Sequence, residues 1–241
     1  MPRGGRFAGP VARPGGFIRS LRCRGAAEND PVQIVIEPER PADHAAVRAV
    51  VLAAFADHPS VAELVELIRA SPEYVPELAL VARVTGEVAG FVMVSHAELA
   101  DDTVLGDDTV LADDTVLVGD SVVNDDTVLV GDNGRRHRVL TLSPLTVAPG
   151  MQGRGIGSAL VPAALRTADQ LGEPLVLLEG SPRYYPRFGF RDCRKFGISI
   201  TLPDWAPPDA GMMFPLSAYD ARVRGRLVYP PAFAATGTGH S

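Results

Sequence analysis

Cysteine is almost missing: Cys23 and Cys193 are the only two in 241 residues. Two distant cysteines exclude a disulfide framework and favour a reducing, cytoplasmic setting. Histidine is scattered too. His44, His58, His96, His137 and His240 show no ligand spacing, so no metal is expected. No apolar run approaches the roughly 20 residues that cross a bilayer, so no membrane span is expected. Acid is missing from the start of the chain, where six arginines fall within residues 1–24. That stretch is rich in Gly and Pro and lacks the apolar centre of a secretory signal. Residues 1–30 therefore read as a disordered tail, and 234–241 as another. The remaining body is near neutral, and nothing in it points to nucleic acid.

The negative charge sits in one place. Residues 101–133, DDTVLGDDTVLADDTVLVGDSVVNDDTVLVGDN, hold ten Asp and no Lys or Arg, more than the whole formal charge of −6. In blocks of six, Val104, Val110, Val116, Val122 and Val128 share a column, and Asp102, Asp108, Asp114, Asp120, Asp126 and Asp132 share another. A hexad with one recurring aliphatic residue is the pattern of a left-handed β-helix. Such a coil takes about eighteen residues, and a solenoid needs about three repeats to bury a core. The segment is too short to stand alone. It reads as an acidic insertion between two strands, either a loose or hairpin-like excursion or a small solenoid-like nub.

Around it the chain alternates strands and helices. A strand is expected at 32–37, then a helix opened by Pro41 and a second one, 61–70, capped by Ser60. A β-hairpin is expected over 77–99 with its turn at 85–86. Residues 135–149 resume strand character, and Pro144 within them marks a bulge or bend, since proline cannot donate to a ladder. A helix over 157–172, a short buried strand at 174–180, and a helical turn leading to another strand complete the pattern. The end, through 228–235, reads as a tail that packs back. The fold class is α/β with a mixed sheet, a single domain over 31–233 interrupted by the insertion.

The sharpest motif is Gln152-Gly153-Arg154-Gly155-Ile156-Gly157, between a strand and a helix. Glycine permits left-handed backbone and close approach. Successive amides at a helix N-terminus suit a pyrophosphate, and Arg154 can add a charge-assisted contact. The spacing fits neither the dinucleotide G-x-G-x-x-G nor the P-loop. Taken alone it could equally be a structural turn.

VAPGMQGRGIG resembles the Q/R-x-x-G-x-G/A signature of the GNAT acetyltransferase superfamily, and RYYPRFGF resembles that fold's downstream Y-x-x-x-G-F. The order and spacing of the two also match. The likeness spans about 31–99 and 135–233 and is nearest to a bacterial branch of acetyltransferases with a YYPRFGF-like segment. It implies a mixed sheet with splayed strands, flanked by helices. It also implies an N-acetyltransferase that passes acetyl from acetyl-CoA to an amine acceptor, often as a homodimer. A non-catalytic acyl-CoA sensor or interaction module on the same fold is the alternative. The backbone of Leu145, Thr146 and Val147 would run along the pantetheine arm, with Leu145 and Val147 pairing to it. The amides of Gln152, Gly153, Arg154, Gly155, Ile156, Gly157 and Ser158 would cradle the pyrophosphate. Pairing to Gly189, the family pattern puts the general acid at Tyr185, with Tyr184 pointing elsewhere. Both rings could instead be core, or line the acceptor pocket with Phe188 and Phe190. Glu179, ending a strand near the cleft, is the candidate base, or else a solvated strand end. His96 is a second candidate, and water alone could relay the proton.

Overall fold

Two long strands, β3 (Glu87–Ala100) and β7 (Arg136–Val147), form the spine of the molecule. β3 is buried without a break from Ala89 to Ser95, as a strand covered on both faces requires. On β3, Phe91 and Met93 pack with the helices of one face, while Val92 and Val94 pack with a helix on the other. The computed structural model describes residues 33–100, 110–112, 115–118, 121–123 and 136–237. The expected tail over 1–30 lies outside the described residues.

The main sheet runs β1-β2-β3-β7-β8-β11-β9, where β1 is Ile34–Pro38, β2 Ala79–Val84, β8 Leu175–Glu179, β9 Arg191–Asp192 and β11 Gly211–Pro215. All neighbouring pairs are antiparallel except β7 with β8. Two further strands, β10 (Ile198–Ser199) and β12 (Gly225–Val228), pair with each other, and β12 also borders the far end of β3. β11 lies between β8 and β9, inside the stretch after the YYPRFGF segment where no strand was expected. Its partners arrive from far along the chain, so local periodicity could not announce it.

Helices α1 (His44–Ala54) and α2 (Ser60–Arg69) cover one face, joined by the short α4 (Pro231–Ala235). Helix α3 (Ile156–Gln170) covers the other. Leu64, Val65 and Ile68 form the buried stripe of α2 at the spacing a helix needs. Ser60 is not the cap expected of it. It is the first helical residue, Pro59 holds the cap position, and no side chain caps that end. The C-terminus of α2 is fixed by Arg69, which donates to Glu39 at 2.7 Å and 2.9 Å. Tyr74 donates to the same carboxylate at 2.9 Å. A buried ion pair of this kind contributes position more than stability. The expected C-terminal tail is shorter than the sequence suggested, because α4 takes in residues 234 and 235.

Ala100 of β3 sits opposite Arg136 of β7, so residues 101–135 connect two adjacent antiparallel strands. Within them β4 (Val110–Ala112), β5 (Thr115–Val118) and β6 (Ser121–Val123) form an antiparallel meander. A β-helix stacks its hexads in parallel, so these three strands fit the hairpin-like reading rather than the solenoid. The rest of the repeat lies outside the described residues.

Candidate active site

The sheet opens at its centre. β7 and β8 pair only at Leu140–Val176 and Thr141–Leu177. Beyond that point β7 continues to Val147 on the β3 side. The ladder with β3 shifts register between Val92 and Val94, opposite Ser143 and Pro144, where the sequence placed a bulge. Ala148 N–H then donates to Ala89 O. By the period of two, Thr146 also turns its backbone toward β3, while Leu145 and Val147 turn theirs toward the gap that β8 has left. Their side chains pack on the α3 core. Each of these residues thus meets the core with its side chain and the opening with its backbone.

At the end of β7 the chain makes a short 3-10 turn, Pro149–Met151, and enters α3 through the glycines. Gly153 and Gly155 have φ of +74° and +82°. Residues with a Cβ pay roughly 1–2 kcal/mol there. The first intrahelical bond is Ala159 N–H to Gly155 O, and no side chain caps the helix. The amides of Ile156, Gly157 and Ser158 therefore precede the ladder, at the positive end of a helix of 15 residues. Gln152, Gly153, Arg154 and Ser158 are exposed around them. Gln152 Nε2 donates to Val147 O at 3.3 Å, linking the turn to the strand. These groups fit a pyrophosphate with an extended arm running back along β7.

The YYPRFGF segment closes over this region as a 3-10 turn, Tyr185–Phe188, stopped by Gly189 at φ +98°. The two tyrosines diverge, with ring planes at 81°. Tyr184 reaches the glycine turn, where a Cβ at Gly157 would fall 2.6 Å from its hydroxyl oxygen. Tyr185 lies on Gly180, the residue after Glu179, and a Cβ there would fall 2.4 Å from its ring. It meets Phe190 edge to face at 5.7 Å. Burial pushes the Tyr185 phenol above its ordinary pKa, so it stays protonated through neutral pH.

Glu179 occupies the other face of β8. Val176 and Leu178 point into the α3 core, and Glu179 points to the α2 side. Tyr229, just past β12, donates its hydroxyl to the Glu179 carboxylate. Burial, and then the Glu179 charge, hold the Tyr229 phenol in its neutral, donating form. The two residues sit in a cavity of about 120 Å3. Val61 and Leu64 of α2, Phe233 of α4, and Thr141, Leu142 and Ser143 of β7 complete its wall. Thus Tyr185 and Glu179 approach the open end of β8 from opposite faces.

The family model for the acetyltransferase (GNAT) family matches residues 49–190, more than half of the chain. The chain belongs to the GNAT acetyltransferase family. No curated protein matches it in sequence. Among solved structures it resembles the GNAT N-acetyltransferase YhbS of Escherichia coli in complex with CoA. The TM-score is 0.62 at 23% identity, covering 86% of this chain and 96% of that one. A GNAT acetyltransferase of Brucella melitensis in complex with acetyl-CoA is similar at a TM-score of 0.57 and 23% identity, covering 83% and 98%. At these identities the likeness is one of fold: the mixed sheet and flanking helices are those of GNAT proteins.

Within this GNAT fold His96 stands apart. Its Nε2 lies 3.0 Å from Glu173 Oε1, beyond the C-terminus of α3, while the glycine turn is at the N-terminus. A helix of that length separates its ends by roughly 20 Å. Its partner anchors it there, away from the opening. The sequence reading missed Tyr229, Phe233, Thr141 and Gly180. The first two lie in the stretch read as a tail packing back. Gly180 carried a weak signal, a glycine directly after a buried strand. No helix among the described residues is long and apolar enough to cross a membrane, and no group of metal-binding side chains occurs among them.

Proposed function

We propose that the protein is an acetyl-CoA-dependent N-acetyltransferase that moves acetyl directly to a primary amine. The parting of β7 from β8 above an uncapped, glycine-entered helix carries this reading. Acetyl-CoA is the donor substrate. The amides of Gly153 to Ser158 and the Arg154 side chain would hold its pyrophosphate. The backbone of Leu145 and Val147 would pair with the pantetheine arm, as a sheet strand would. That arrangement directs the thioester toward the gap between Tyr185 and Glu179.

The acceptor nitrogen attacks the thioester carbonyl. A C–N bond forms and the C–S bond breaks. Glu179 takes one proton from the ammonium, directly or through a water, which frees the lone pair for attack. Tyr185 gives its phenolic proton to the leaving sulfur. The second N–H proton, lost after attack, passes through solvent and restores Tyr185. The raised phenol pKa suits this role, because the proton is present until it is needed. The YYPRFGF segment, like that of the bacterial branch it resembles, supplies both this ring and the Tyr184 contact at the turn. Two cysteines, one buried at Cys193, are in keeping with a cytoplasmic setting. The test is amine-dependent release of free thiol from acetyl-CoA by the full chain. Release that saturates in both substrates supports transfer, and binding without release across a broad amine panel points to a sensor instead.

A further inference from the structure

We propose that the acceptor is a small ammonium on a short apolar body of about four to six heavy atoms, the size that a half-open chamber of about 120 Å3 with a carboxylate at one end can take. This rests on the acetyltransferase reading above and narrows its acceptor. The chamber of about 120 Å3 between α2, α4 and the open end of β7 and β8 is divided in chemistry. Its roof is Val61, Leu64 and Phe233. Its polar groups lie at the sheet, where Glu179 receives the Tyr229 hydroxyl. A bound cation is satisfied at one end, and its carbon body is buried at the other.

The same division selects against other acceptors. No Lys, Arg or His lines the chamber, so an acidic amine would bring a second carboxylate to Glu179 without a counter-charge. A peptide N-terminus would press its amide groups on the apolar roof, leaving buried polar groups unpaired. The C-terminal segment also limits length. Tyr229 and Phe233 form part of the chamber wall, and their rings pack at 4.7 Å. The end of the chain thereby sets acceptor size, through a segment outside both sequence motifs.

The experiment uses the full chain at saturating acetyl-CoA, with ethylamine, butylamine, pentylamine, octylamine, glutamate and a neutral tripeptide as acceptors. The expected kcat/KM for butylamine or pentylamine exceeds that for glutamate and the tripeptide by about 100-fold, the range a pocket of fixed polarity achieves. Val61 is half-buried in the roof, so Val61→Phe shortens the chamber. Its KM for pentylamine is expected to rise about 10-fold, and that for ethylamine by less. Val61→Ala should shift the optimum toward octylamine, and it serves if the larger side chain is not tolerated. Comparable turnover of the tripeptide or glutamate would overturn the proposal. So would a chain-length profile that neither variant moves, or acetyl-CoA that binds but is passed to none of these amines. Failure to bind acetyl-CoA, by titration, would instead overturn the underlying acetyltransferase reading and the acceptor class with it.

Discussion

The two faces of the opening are built from different materials. On the α3 face most of the site is backbone: the amides at the start of α3, the turned strand of Leu145 and Val147, and glycines that let other groups, the Tyr185 ring among them, approach. On the α2 face it is made of side chains: Glu179, Tyr229 and an apolar roof drawn from α2 and α4. A backbone site tolerates few residue types but asks little of the rest of the chain. A side-chain site can change its ligand by changing a few residues. In the proposed reaction the donor takes the first face and the acceptor the second.

Substitutions should separate the faces. Tyr185→Phe removes only a hydroxyl, so acetyl-CoA affinity should stay within about twofold while kcat falls about 100-fold, the usual contribution of a general acid. Since burial raises the Tyr185 pKa above the ordinary value, the acid form persists on the alkaline side. The wild-type kcat profile should therefore show no alkaline fall below about pH 10 from this group. Steady-state rates across pH check both points. Glu179→Gln should cost about 30-fold in kcat/KM for the amine and leave the titrated acetyl-CoA affinity unchanged. Equal losses for both substrates would blur the distinction between faces. Tyr229→Phe frees the carboxylate from one donor and should raise the amine KM by about 3- to 10-fold, again without effect on the donor. His96→Ala is the smallest case. Turnover should be unaltered, and thermal unfolding should show a loss of about 1 kcal/mol from its Glu173 contact.

The same contrast explains what the sequence disclosed. The turn was legible because a backbone site forces glycine into fixed neighbouring positions, and Gly153 and Gly155 have the left-handed φ that this requires. Pro144 announced the bulge for a similar reason, since one residue type settles a backbone feature. The helical turn of the YYPRFGF segment was legible too, since Gly189 stops it at a left-handed φ. The cavity was not legible. Val61, Thr141, Glu179, and Tyr229 with Phe233 come from four parts of the chain, and none is unusual in its own neighbourhood. His96 illustrates the reverse. At the end of a strand it looked available, and only the folded chain puts Glu173 beside it. The hexad column suggested a coil, but a period of six also keeps one face of a flat strand. The pairing of β4, β5 and β6 follows that second possibility.

Isothermal titration of acetyl-CoA into the full chain and into Gly155→Glu tests the donor face most directly. A side chain at φ +82° is strained, and its carboxylate would stand at the helix end proposed to hold the pyrophosphate. The like charge and the added bulk should weaken binding by about 100-fold, while the strain costs the fold itself roughly 1–2 kcal/mol. Saturable binding by the wild type with that loss in the variant is the expected result. No binding by folded wild-type protein, or equal binding by both, would contradict it.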